Sequence, residues 1–143
     1  PVLNLYQDFW DAIDPMNHLA FLGGLNLQQH ILILSADGDE EVPKQARDTA
    51  ARILQAEVVG SATYPPSGLD TRDEAVTDNR GDRFNPQTVA WIEVPQPQQP
   101  ADDAESAHRS WMRDELTQAQ IEAFFGTWLD NGVPTAFPRG EAQ

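Results

Sequence analysis

A chain of 143 residues with 23 acidic against 9 basic side chains carries a net charge of −14. Such a surface repels nucleic acid and anionic lipid, whose phosphates are bound by clustered Lys and Arg. The absence of cysteine excludes disulfides, thiolate catalysis and Cys-ligated zinc, and no apolar run approaches the roughly 18 residues of a membrane-spanning helix.

In chain order, Leu5, Phe9 and Ile13, with Tyr6 and Trp10 beside them, form an i, i+4, i+8 stripe that predicts one amphipathic helix. Asp14-Pro15 restarts a short helical turn, with Asp14 as N-cap and Pro15 at the first helical position, and Gly23-Gly24 breaks it. Residues 30–36 are a continuous apolar run, the pattern of a strand buried on both faces as parallel strands are. An acidic turn, Asp37-Gly38-Asp39-Glu40-Glu41, leads to Pro43. The helix expected there places Ala46, Ala50, Ile53 and Leu54 on one face and Lys44, Arg47, Asp48 and Arg52 on the wet side. Strand, turn and helix make half a βαβ unit, and Val58-Val59 is a short extension.

Residues 61–86 hold Pro65-Pro66, Gly68, Gly81 and many charges but little periodicity, and read as an insertion or lid-like excursion. A second strand is expected over Thr88 to Val94. The loop at 95–107, with Pro95, Pro97 and Pro100, is extended and outside any ladder. The last helix is the clearest element. Thr117 and Gln120 form a capping box, Ile121, Phe124, Phe125, Trp128 and Leu129 form a wide apolar stripe, and Asn131-Gly132 supplies the C-cap. Two strands and three or four helices offer that stripe little to pack on, which implies a missing partner surface. The chain has no internal repeat.

The acidic turn has more than one reading. Carboxylates ahead of a helix complement its dipole without further role. An EF-hand starting at Asp37 fails, because its sixth position needs Gly and holds Val42. Three histidines are available as bases. His30 precedes the strand at the end opposite the turn, His18 lies upstream on a helical segment, and His108 follows the second strand and its loop. A surface histidine without a role is the plain alternative for His108.

Ile31 to Pro43 resembles the segment of α/β hydrolases in which a hydrophobic strand runs into a small-residue turn, the catalytic Asp, and a Val-Pro that opens the next helix. Ala36 stands where that family often has Gly. The resemblance implies an α/β fold, with Asp39 as the triad acid, Asp37 as a variable turn residue and His108 as the general base. His108 lies shortly before the C-terminal helix, and Ala107 and Arg109 flank it where relatives often have Gly. In that fold the triad runs Ser, acid, His along the chain. No Gly-x-Ser-x-Gly precedes Asp39, and none of Ser35, Ser61, Ser67, Ser106 or Ser110 sits on a glycine-flanked elbow.

The nucleophile and the oxyanion-hole amides are therefore expected from a preceding segment or a companion chain. This fits a length below the roughly 200 to 250 residues of a complete hydrolase domain. Residues 1–143 would be the C-terminal part of such a domain, incomplete without an N-terminal segment. Asp11 to Ala20, with Asp14-Pro15-Met16-Asn17, resembles a stretch ahead of the acid strand in secreted bacterial lipases and esterases. That resemblance serves only to favour carboxylic esters over amides as substrates; no cofactor or metal is expected, and of the possible locations a secreted or periplasmic bacterial setting is favoured. Trp10, Phe21 and Tyr64 become candidates for an acyl pocket, although ordinary packing explains each. The rival expectation is a non-catalytic acidic α/β module that binds a protein partner.

Overall fold

The computed structural model describes residues 29–39, 42–95 and 107–142. The expected helix at Leu5–Ile13, the Asp14-Pro15 turn, His18, Trp10, Phe21, Glu40, Glu41 and most of the Pro-rich loop lie outside the described residues.

Strand β1 (Ile31–Ala36) is followed by helix α1 (Lys44–Ile53) and strand β2 (Glu57–Val59). Strand β3 (Thr71–Arg72), β4 (Val76–Thr77), β5 (Arg80–Asp82) and β6 (Asn85–Gln87) are short, and β7 (Val89–Val94) is the second long strand. A 3-10 helix (Ala107–Met112), helix α2 (Glu115–Asn131) and strand β8 (Thr135–Ala136) complete the described chain. Among these residues the main sheet has the order β1-β7-β2-β3, and every neighbouring pair in it is parallel. The fold is thus mixed α/β with a parallel sheet, as the two apolar runs require: both β1 and β7 need cover on both faces.

Alternation along the strands assigns that cover. Ile31, Ile33, Val89, Trp91 and Val58 face one way and pack with Ala51 and Leu54 at the end of α1. Leu32, Leu34, Ala90, Ile92 and Val59 face the other way and pack with Phe124 of α2. The result is a helix–sheet–helix sandwich in three layers. Trp91 sits at its centre, paired with Ile33 on one side and Val58 on the other, and is 1% exposed.

The 61–86 excursion is more ordered than its sequence indicates. β3 adds a fourth parallel strand, with Arg72 reaching back to the buried Glu57 carboxylate at 3.3 Å. β4 pairs antiparallel with β8, and β5 and β6 form a hairpin. Strands of two or three residues are too short for an alternating pattern to register, which is why only an irregular stretch is legible there. Gly81 is required in the hairpin: its φ is +89°, and a Cβ would lie 2.1 Å from the Asn85 carbonyl oxygen.

Helix α2 begins differently from the expected capping box. Its N-cap is Asp114, which accepts the Thr117 backbone N–H at 2.7 Å. Gln120 is buried and donates instead to the Phe137 carbonyl at 2.8 Å. Arg139 decides the matter by gripping Asp114 through both terminal nitrogens, at 2.6 and 2.5 Å. The expected C-cap is present, with Gly132 at φ +77° and its N–H on the Trp128 carbonyl.

The Arg139 guanidinium holds the Asp114 carboxyl at about 2, below its ordinary 3.8, with the Thr117 hydrogen bonds adding to the effect against partial burial. A group whose folded pKa is depressed stabilises above its unfolded pKa and loses that contribution as pH falls. Asp114→Ala is therefore expected to destabilise by about 1 to 2 kcal/mol at neutral pH, as lost helix caps do. Urea melts of wild type and variant should converge as pH falls from about 4 to about 2. A difference that persists undiminished at pH 2 would show that the carboxylate charge is not what the cap uses.

Candidate functional site

The carboxyl ends of β1 and β7 lie side by side, Ala36 opposite Val94, and the next residue, Asp37, still donates its N–H to the Val94 carbonyl at 2.8 Å. Gly38 then turns the chain with φ +72°, and Asp39 N–H closes the turn on the Ala36 carbonyl at 3.4 Å. The Asp39 carboxylate accepts the Val42 N–H at 3.0 Å. Asp39 therefore braces the chain ahead of α1, whose N-cap position is Pro43 and whose first turn holds no acid.

A cleft of about 270 Å³ opens beside this turn. Leu32, Leu34, Ala36, Val42 and Val94 give it apolar walls; Asp39 and Arg47 supply charge, and Trp111 of the 3-10 helix lines it from the other side. Arg47, expected on the wet side of α1, instead folds back so that Nη1 donates to the Ala36 carbonyl. Its Nε is buried with no hydrogen-bond partner among the described residues. A long side chain that buries its stem and returns its head to a strand end is not visible in the helical period alone.

The 3-10 helix packs against β1 and is tied to α2 by Gln118, which donates to the Trp111 carbonyl at 2.8 Å. His108 lies in this helix, three residues before Trp111. The structure thus brings the backbone of His108 to the element that borders the Asp39 cleft. Its side chain lies outside the described residues.

His30 is at the other end of β1. Its Nδ1 accepts the Thr88 N–H at 3.2 Å, and its ring lies 6.2 Å from that of Trp128. Burial pushes its imidazole below the ordinary 6.5, against the pull of the Asp78 carboxylate, which suits a neutral acceptor at that end of the sheet. Ser35 is buried within β1, and Ser61 and Ser67 are exposed in the excursion. Among the described residues no cluster of three His, Cys, Asp or Glu side chains could hold a metal ion. No described helix is long and apolar enough to cross a membrane.

Glu93 is the second residue, with Arg47, that the sequence reading missed. Its carboxylate accepts two successive N–H groups from the excursion, Thr63 at 2.7 Å and Tyr64 at 3.1 Å, and so holds an exposed Tyr64 in place. The legible signal was a lone charge near the end of an otherwise apolar strand. Glu93→Gln leaves one carbonyl oxygen for two donors, so amide exchange at Thr63 and Tyr64 is expected to quicken by about tenfold, the loss of one charge-assisted bond. Unchanged exchange at both amides would mean the loop is held by other contacts.

With the fold and this cleft in view, the chain is defined as an α/β protein with a parallel sheet and a candidate site at the carboxyl ends of two adjacent strands. Comparison with protein-family models, curated proteins and solved structures found no match.

Proposed function

We propose that this chain is the C-terminal part of a carboxylic-ester hydrolase, with Asp39 and His108 as two members of a Ser-His-Asp triad. The observation that carries the reading is the shared cleft: Asp39 and Trp111, the latter three residues after His108, line it together at the carboxyl ends of parallel strands. Ligand sites in open α/β sheets favour that end. The outer edge of β1 supports the reading as well. Among the described strands β1 is terminal in the sheet, yet Ile31 to Leu34 are apolar and only half-buried. A strand from a preceding segment would cover them.

The chemistry follows from the residue types. A serine hydroxyl attacks an ester carbonyl only when a base removes its proton, and the neutral imidazole of His108 would do so. Asp39 would fix the tautomer and stabilise the imidazolium. His108 would then protonate the leaving alkoxide, and the same base would activate water to release the acid. The serine and the oxyanion-hole amides would come from a preceding segment or a companion chain.

The test joins this chain to a preceding segment that carries Gly-x-Ser-x-Gly and assays p-nitrophenyl esters together with fluorophosphonate labelling of the serine. Hydrolysis and labelling, both lost in His108→Ala, are expected. An assembled, folded protein that neither labels nor hydrolyses overturns the reading. It would favour the rival one, a non-catalytic acidic interaction module, for which the exposed Phe125, Trp128 and Leu129 speak.

A further inference from the structure

The strands of the main sheet run parallel, so the amino ends of β2 and β3 lie at the end opposite Asp39. A second cavity, of about 330 Å³, opens there. Small-ligand pockets run from about 300 to 1,000 Å³. Its apolar lining is Ala56, fully buried just ahead of β2, and Leu69, half-buried against the core. Gly68, where an added Cβ would meet nothing within 4 Å, borders the cavity without obstructing it. Arg52, Arg80 and Asp70 bring charge to its walls.

The end of α1 fixes one of the two arginines. The Gln55 N–H bonds to the Arg52 carbonyl at 3.1 Å and the Ala56 N–H to the Ala51 carbonyl at 2.9 Å, with Gln55 left-handed at φ +53°. The Gln55 carbonyl is then free to accept Arg80 Nε at 2.6 Å. Arg80 is held there by one nitrogen, and its two terminal nitrogens have no partner among the described residues. Arg52 donates only to the Thr49 hydroxyl, at 3.3 Å. Lys44, Arg72 and Arg139 are each ion-paired, whereas neither Arg52 nor Arg80 forms an ion pair among the described residues. In a chain with 23 acids, two guanidiniums on one cavity that meet none of them leave their charge to a ligand.

The balance of groups selects its class. Two guanidiniums and one carboxylate leave the cavity a charge of +1, which a monoanion neutralises and a dianion overshoots. A guanidinium fork matches the two oxygens of a carboxylate. Ionised Asp70 can only accept, so a ligand that settles beside it must bring a donor. We propose that this cavity binds a small α-hydroxy carboxylate, its carboxylate on Arg52 and Arg80 and its hydroxyl toward Asp70. The proposal goes beyond the hydrolase reading and does not depend on it, because the two cavities occupy opposite ends of the sheet.

The test titrates the full 143-residue chain with sodium glycolate, acetate, phosphate and chloride at matched ionic strength, and follows the backbone amides by NMR. Glycolate should shift Gln55, Ala56, Gly68, Leu69 and Asp70 saturably, and bind at least about fivefold more tightly than acetate or phosphate. Arg52→Gln should raise the glycolate Kd by about tenfold, the loss of one charge-assisted contact. Asp70→Ala supplies a second variant, in which the preference for glycolate over acetate should vanish. Unchanged amide shifts in β7 verify that both variants are folded. Shifts that chloride reproduces, a wild-type Kd in Arg52→Gln, tighter binding of phosphate than of glycolate, or a preference that survives Asp70→Ala would each overturn the proposal.

Discussion

Asp39→Asn, in the protein joined to its nucleophile-bearing segment, is expected to lower ester turnover by up to about 10⁴-fold without unfolding the domain. That is the loss associated with neutralising a triad carboxylate. Folding should survive because the side-chain oxygen that accepts the Val42 N–H at 3.0 Å is retained in asparagine. His108→Ala should be as severe, and the double variant little worse than either single one, because groups acting as one unit are strongly non-additive. Asp37→Asn is the control. Its backbone N–H, bonded to the Val94 carbonyl, is what the turn uses, and that is unaffected. If the Asp37 change abolishes turnover while Asp39→Asn retains it, the acid is displaced by two residues. If all three variants stay active, the triad assignment fails.

The largest effect on stability should come from Trp91. Its side chain is fully buried between Ile33 and Val58 on the sheet and packs in one cluster with Ala51 of α1 and Leu54, which caps that helix. Trp91→Ala should cost about 3 to 5 kcal/mol, as large-to-small changes of buried aromatics do, a major share of the 5 to 15 kcal/mol typical of a domain. Trp91→Phe should cost far less. The indole Nε1 is buried with no hydrogen-bond partner among the described residues, so tryptophan already carries a desolvation penalty that phenylalanine lacks. Chemical denaturation of the two variants checks both statements. Equal losses would mean that Nε1 is satisfied in solution and that its hydrogen bond matters.

Part of this was legible beforehand. The apolar runs ending at Ala36 and Val94 became the two long parallel strands, and Lys44–Ile53 and Glu115–Asn131 became the two helices. The position of Asp39 after the strand and before Pro43 is equally a matter of local order, and the cleft beside it lies where that order puts it. Asn131-Gly132 ended α2 as expected, because a left-handed residue after the last turn is a local requirement that glycine meets.

The periodicity of side chains along the chain determined which segments became strand or helix, since an apolar face two or 3.6 residues apart must be buried wherever the element ends up. What lies against that face was decided by tertiary structure. β7 inserts between β1 and β2, though 29 residues separate β2 from β7 in the chain, and this choice set Trp91 at the centre of the sheet. Arg139 selected Asp114 as the cap of α2 in place of the Thr117–Gln120 pair, and the Phe137 carbonyl drew Gln120 inward. Of the apolar stripe on α2, only Phe124 reached the core, because polar side chains whose hydrogen bonds are met by distant residues can be buried as readily as apolar ones. Arg47 and Glu93 took their places at the strand ends for the same reason: the carbonyl and the two N–H groups they satisfy are brought within reach only when the sheet has formed.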